Sequence, residues 1–403
     1  MTASPLQLTR RTALAGVAGL TLAGCAEAVN GPAEADSTAT QDAHPTTTAT
    51  TGTSAAAITI DTAHGLTSMW PNEPLEISVE DGTISSVKVT DVSGAEIPGS
   101  ISGSQWSPDR GALLLRTNYS VEVVAQDSKK HEQVATASIS TVNPNLVVEV
   151  DFRYADGTAV GNGMPIWVRF DMALNDDQRA AIEKTASVTT SPVQEGSWGW
   201  ADATTLFWRP REYWQAGSTA HVEVNAAGLP AGETWVLNNA EADYVYGDLR
   251  VMRTDIDGHT LTCYQNGAVV NTLPVSCGKP GLETMTGTKV IMDKQSPVVM
   301  DSETFGVNNE SPEGYKLDVY WAQRITWSGE YFHAAPWADY AHGNQNVSHG
   351  CTGMSDANAE WLFNFTLIGD PAEFVGSTFA VQAYQTIGCW TYSWQDWQLQ
   401  SAL

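Results

Sequence analysis

The stretch Tyr331-Phe332-His333-Ala334-Ala335-Pro336-Trp337, followed by Ser348-His349-Gly350-Cys351-Thr352-Gly353, decides how the rest of the chain is read. Acyl transfer by a cysteine needs a thiolate, a base to make it, and donors for the oxyanion that forms. Cys351 beside His349 and Gly350 can supply all three. A glycine before the nucleophile lets the backbone turn sharply and aim N–H groups at a substrate carbonyl. His333 lies eighteen positions earlier, at the end of an apolar strand, and can reach the sulfur across a hairpin. Alone, the pattern marks a candidate cysteine nucleophile, because free cysteine is more often an inert buried residue.

Working outward, Ser355 is an N-cap, and Ala357, Trp361, Leu362 and Phe365 then fall on one face of a helix. The Trp-rich stretch from Cys389 to Trp397 reads as a small carboxy-terminal subdomain, 386–403, folded back on the core. Upstream, Asp257-Gly258 and Asn266-Gly267 lie between alternating runs, a strong hairpin signal, with further strands around Thr288–Met292 and Tyr315–Trp321. These elements make one β-rich region, 243–385.

Before it come two stretches of short period-two strands separated by turns, 58–142 and 143–242. Leu75-Glu76-Ile77-Ser78-Val79 and Tyr119-Ser120-Val121-Glu122-Val123 exemplify the first, Pro165 to Phe170 and His221-Val222-Glu223-Val224 the second. Both read as β-sandwiches. A brief helix near Asp176 to Lys184 interrupts the second. The fold class is therefore mainly β, with two sandwiches ahead of a β-rich domain that has one helix after Cys351.

Residues 25–57 are rich in Ala, Thr, Ser and Asp, and the first aromatic residue is Trp70. Such a segment cannot offset its ordering entropy and reads as a flexible linker. At the start, Arg10-Arg11 precedes a short apolar run that ends in Leu22-Ala23-Gly24-Cys25. The run is too short to span a bilayer. A twin-arginine export signal over 1–24, with Cys25 as the lipidated new amino terminus, is the expectation. The protein should then sit on the outer face of the cytoplasmic membrane, tethered by its lipid and facing the cell wall.

With 20 Lys and Arg against 46 Asp and Glu, the net charge is −26. That balance opposes nucleic acid and electrostatic docking on anionic lipid. If Cys25 is lipidated and Cys351 stays a thiol, Cys263, Cys277 and Cys389 can form at most one disulfide, and the sequence does not choose it.

His333 with Ser348-His349-Gly350-Cys351 resembles the signature of the L,D-transpeptidase catalytic domain of the YkuD type. Gly278-Lys279-Pro280-Gly281 with Thr286-Gly287-Thr288 resembles that family's turn, with Met285 where proline is common. Tyr315 matches the position of its active-site tyrosine. The order of signal, linker, two immunoglobulin-like domains and catalytic domain is similar to the actinobacterial lipoproteins of the class. The resemblance implies Cys351 as nucleophile, His333 as general base oriented by the carbonyl of Ala334, and His349 lining the site. It implies an oxyanion held by the amides of Gly350 and Cys351 with the Tyr315 hydroxyl, and Met300 and Trp337 on the substrate side. The substrates implied are a tetrapeptide stem as donor and the diaminopimelate amine of another stem as acceptor, joined 3→3 through a thioester. Covalent inactivation by carbapenems is implied as well. No cofactor is expected, and a monomer is. Gly353 departs from the family, which commonly has Arg or Asn there.

Three functional classes follow: the transpeptidase, an L,D-carboxypeptidase in which water attacks the thioester, and a non-catalytic cell-wall module. A zinc site among His333, His342, His349 and Cys351 is set aside, because the spacing lacks the usual metal-ligand pairs. His342 reads as a surface-loop residue flanking the groove. The cluster Trp198, Trp200, Trp208 and Trp214 reads as core rather than as a glycan platform, and the acidic residues as solvated face rather than calcium ligands.

Overall fold

The computed structural model describes residues 46–49 and 54–403, apart from 232, 233, 307, 312 and 313. Arg10, Arg11, Cys25 and most of the expected linker lie outside these residues. The chain is mainly strands, as its alternation predicts.

The first sandwich faces two four-stranded sheets. One runs Thr46–Ala49, Glu132–Ser140, Asn118–Asp127, Gly82–Asp91; the other Ala57–Asp61, Leu75–Glu80, Gln105–Pro108, Gly99–Ser102. Period-two alternation sends Tyr119, Val121, Val123 and Ala125 inward against Leu75, Ile77 and Trp106. Thr46–Ala49 corrects the linker expectation, since it pairs with the strand Glu132–Ser140 from Thr46↔Thr136 to Ala49↔Gln133. Edge pairing needs only main-chain groups and a β-tolerant composition, which Thr-Thr-Thr-Ala supplies.

The second sandwich sets Val150–Arg153, Ile166–Phe170, Thr205–Pro210 and Gly196–Asp202 against Ala186–Ser191, Thr219–Val224 and Ala240–Val245. The expected boundary at 242 cuts that last strand, and Tyr244 and Tyr246 are buried in this core, so the module runs on past it. Its helix, Asp176–Glu183, is started by Asn175 in a capping box with Gln178. Trp200, Trp208 and Trp214 are buried and Trp198 packs against them, as expected of core tryptophans.

The tail differs from the expectation of a separate subdomain on the catalytic core. Trp397 joins the second sandwich's core, its indole N–H donates to Ser197 O, and Trp200 N donates to Gln400 O. Arg209, buried, lies 4.5 Å from the Trp390 ring centre and just over 5 Å from those of Trp394 and Trp397. On the Gly196–Asp202 strand, Gly199 leaves the space that the Trp397 ring occupies, since a Cβ there would lie 2.7 Å from it.

The third domain holds a five-stranded sheet, ordered Ala268–Pro274, Thr260–Gln265, Arg250–Asp255, Pro371–Val375, Gly287–Val290. A four-stranded sheet follows the order Asp293–Gln295, Ala322–Arg324, Tyr331–Ala334, Thr352–Met354, and the hairpin Val298–Asp301 with Lys316–Val319 stands apart. Asn266 and Gly267, both at positive φ, make the two-residue turn that sets the register Gln265↔Ala268. Between the sheets pack Met252, Leu261, Ile291, Phe332, Met354 and Phe374. The helix Asp356–Phe365 is capped by Ser355 as expected, but its buried residues are Ala359 and Leu362; Ala357 is on the exposed side. Cys263, Cys277 and Cys389 are buried free thiols, so none of the pairings left open forms.

Candidate active site

The strand Tyr331–Ala334 runs parallel to Thr352–Met354, with Phe332 opposite Thr352, His333 opposite Gly353 and Ala334 opposite Met354. Phe332 and Ala334 enter the core, so His333 between them faces the other way. Cys351 precedes Thr352, so by the same parity it is on the face that His333 occupies. Both line one cavity of about 390 Å³, together with Met300, Tyr315, Trp337, His342, Ser348, His349 and Gly353. That volume is in the range of small-ligand clefts.

His333 is 6% exposed, and its Nδ1 lies 2.7 Å from Ala334 O. A carbonyl accepts only, so Nδ1 carries the hydrogen and Nε2 keeps its lone pair. Burial pulls the imidazole down to about 4, with the Ala334 hydrogen bond opposing. Burial pushes the Cys351 thiol up to about 12, while a hydrogen bond from the Tyr331 backbone opposes. At rest the pair is therefore neutral thiol and neutral imidazole, and the thiol donates to Gly329 O at 3.5 Å.

Gly350 sits at φ +122°, open to glycine and strained for other residues. Its N–H donates to Ser348 Oγ at 3.1 Å, and Ser348 Oγ donates to Cys351 O at 2.6 Å. The Gly350 amide is thus engaged within the loop, which differs from the expectation that it faces an oxyanion beside the Cys351 amide. A serine two residues before the glycine is placed to accept that donor locally. Tyr315 borders the cavity 5.3 Å from the His349 ring, and its hydroxyl is pushed up to about 12, first by burial and then by Cys351. It stays a hydroxyl and can donate. Trp337 is exposed and stacks on His333 with ring centres 6.0 Å apart.

The surface-loop reading of His342 is corrected: its side chain is 5% exposed, with Nδ1 3.3 Å from Asp339 and Nε2 buried without a partner. Its imidazole lines the cavity beside Gly353, where a Cβ would meet Nε2 at an ordinary contact distance of 3.8 Å. Sequence reasoning also missed Ser348 as a brace, set by its hydroxyl rotamer, and Gly329 as the thiol's acceptor, set by the main chain. Among the described residues the one His/Cys/Asp/Glu group with metal-ligand spacing is His221, Glu223 and Glu241, on the second sandwich.

A β-rich domain with a Cys–His cleft behind two sandwiches is the architecture of a cell-wall acyltransferase class, and the comparisons agree. Residues 250–374 match the L,D-transpeptidase catalytic domain, and 66–230 a bacterial Ig domain. L,D-transpeptidase 2 of Mycobacterium tuberculosis is 30% identical over 349 residues, 86% of this chain and 85% of that protein. L,D-transpeptidase 1 of the same organism is 35% identical over 243 residues, 60% of this chain and 90% of the relative. A solved L,D-transpeptidase in complex with imipenem is 34% identical, covering 57% of this chain and 100% of its own, at a TM-score of 0.50. The chain belongs to the L,D-transpeptidase family, enzymes of peptidoglycan cross-linking.

Proposed function

We propose that this enzyme forms 3→3 cross-links between peptidoglycan stems through a thioester on Cys351. The observation that carries the reading is that His333, on one strand, and Cys351, just before the strand parallel to it, line one cavity. His333 Nε2 takes the thiol proton as the sulfur attacks the carbonyl between diaminopimelate and the terminal D-Ala of a tetrapeptide stem. The C–S bond forms, the C–N bond breaks, and D-Ala leaves with the proton returned by His333. The side-chain amine of a second stem's diaminopimelate then attacks the thioester, loses a proton to His333, and frees the thiol. The neutral resting pair supports a mechanism in which proton transfer accompanies attack rather than a standing thiolate. The Cys351 amide and the Tyr315 hydroxyl are the donors for the oxyanion, His349 flanks the sulfur, and Met300 and Trp337 bound the stem peptide.

The test mixes residues 43–403 with disaccharide-tetrapeptide and reads products by mass spectrometry, with Cys351→Ala as control. A dimer lacking one D-Ala, absent in the control, is expected. Tripeptide monomer alone would make the enzyme an L,D-carboxypeptidase, and no adduct on Cys351 would overturn the catalytic reading. The relative solved with imipenem makes that compound a second probe, expected to add its mass to wild type and not to Cys351→Ala.

The same reading carries the address. Export by the twin-arginine signal and lipidation at Cys25 would hold a monomeric enzyme at the outer face of the cytoplasmic membrane, and the acidic surface suits no nucleic acid. Cys25→Ser should move the protein from the membrane to the soluble fraction; unchanged fractionation would remove the lipid anchor from the proposal.

A further inference from the structure

Behind the nucleophile loop, among residues that do not border the cavity, Lys289 and Glu330 form a buried ion pair. Nζ lies 2.5 Å from Oε2, and the side chains are 0% and 8% exposed. The ammonium also lies 3.8 Å over the Phe374 ring. Glu330 Oε1 accepts the Met285 N–H at 2.8 Å, and that oxygen and Cγ are each 3.8 Å from where a Gly350 Cβ would be. Beside Met285, Thr284 Oγ1 donates to Gly350 O at 2.7 Å. The neighbours of Glu330 touch the sulfur itself: Gly329 O accepts from the thiol, and the Tyr331 backbone donates toward it. One carboxylate thus joins the Thr284–Thr286 turn, the Gly350–Cys351 turn and the start of the strand Tyr331–Ala334.

A buried ion pair gains little stability over apolar residues of the same shape, because both charges are taken from water. Its place is better explained by what fixed charges do to a reacting atom in a low-dielectric setting. We propose that Lys289 and Glu330 are positioning residues for the nucleophile. The carboxylate fixes Gly329–Tyr331 against the Gly350–Cys351 turn, and the ammonium behind it stabilises the negative sulfur formed when His333 takes the proton. This rests on Cys351 being the nucleophile. The charged and titratable groups acting on the sulfur are Lys289 and Arg324, which favour the anion, Glu330, which opposes it, and Tyr315, Tyr331 and His333 around the cleft. Burial lowers Lys289, and the groups that hold it charged against that are Glu330 first, then Cys277 and Cys351.

The test follows alkylation of Cys351 by iodoacetamide in the full chain across pH, with Cys351→Ala as blank, in wild type, Lys289→Met, Glu330→Gln and the double variant. Removing the cation should slow alkylation at pH 8 about tenfold, the equivalent of one pKa unit. Removing the carboxylate while keeping an acceptor for Met285 N–H should speed it, and the double variant should fall between. Shifts of the same sign in both single variants, or unchanged pH profiles with altered melting temperature alone, would reduce the pair to a structural element and overturn the proposal. Should Lys289→Met fail to fold, Glu330→Gln decides, since its profile must move to lower pH. Acylation of wild type by tetrapeptide, run alongside, separates the two readings: no adduct there refutes Cys351 as nucleophile, whereas adduct with unmoved profiles refutes only the role of the pair.

Discussion

Gly353 stands directly opposite His333 across the two parallel strands, so the strand following the nucleophile sets no side chain beside the histidine. A Cβ at this position would lie 2.9 Å from Ala335 Cβ, closer than packed carbons allow. Gly353→Ala must therefore displace the segment that follows His333. The expected result is a loss of about 1–3 kcal/mol, the usual cost of overpacking, together with slower acylation of Cys351. Denaturant unfolding and the rate of adduct formation check it. A variant as stable and as fast as wild type would mean that Ala335 gives way freely and that the glycine has no packing role.

His333 also makes stability depend on pH. Its folded value is about 4 because burial disfavours the cation, whereas an unfolded histidine titrates near 6.5. Between those values the unfolded chain binds the extra proton, so stability from this group is present above pH 6.5 and lost as pH falls toward 4. The contribution is roughly 3 kcal/mol from the size of the gap. Other acid-sensitive groups are removed by comparison: His333→Asn should flatten the wild-type slope across that window. Parallel slopes in wild type and variant would show that the imidazole is protonated in the folded protein.

The architecture was legible in the sequence where side chains alternate or turns demand particular residues. Asn266-Gly267 marked its hairpin, Ser355 its helix start, and Tyr119 to Ala125 the inward face of a strand. The pairing of His333 with Cys351 was legible through motif resemblance, and the cavity brings Met300, Tyr315, Trp337 and His349 to the same place. What stayed hidden depends on contacts between distant segments. Thr46–Ala49 forms a strand only because another edge is there to pair with, and the tail's destination depends on Arg209 and the Gly196–Asp202 strand. The burial of His342 depends on how its loop folds back onto the cleft, and the engagement of the Gly350 amide on the rotamer of Ser348. Neither has a periodic signature.

Ser348 braces the nucleophile turn from inside. Its hydroxyl accepts from Gly350 N and donates to Cys351 O, the two main-chain groups that flank the sulfur-bearing residue. Ser348→Ala leaves both without that partner, at a cost of about 1–3 kcal/mol where they stay dry. Because a misplaced reacting atom is costly, acylation should fall by roughly 10²-fold while KM for the donor changes little. Ser348→Thr, which keeps the hydroxyl, should recover most of the rate. An alanine variant that acylates normally would instead mean that the freed Gly350 N–H serves the oxyanion and compensates for the lost brace.

The tail supplies a test of how far the site depends on the sandwich behind it. Trp397 is 1% exposed, its ring would be 2.7 Å from a Gly199 Cβ, and Arg209 faces it at 5.4 Å. Trp397→Ala empties this pocket and leaves Arg209 with less aromatic surface, so a loss of about 3–5 kcal/mol is expected from the second sandwich. None of these groups borders the catalytic cavity. Acylation measured at a temperature where the variant remains folded should therefore stay within about twofold of wild type, the behaviour of distant, independent sites. A large fall in acylation with folding intact would mean that Trp390 and its neighbours, which bridge Gly163 of the sandwich to the catalytic domain's edge strand Gly287–Val290, transmit strain to the cleft. In that case the sandwich would belong to the catalytic unit.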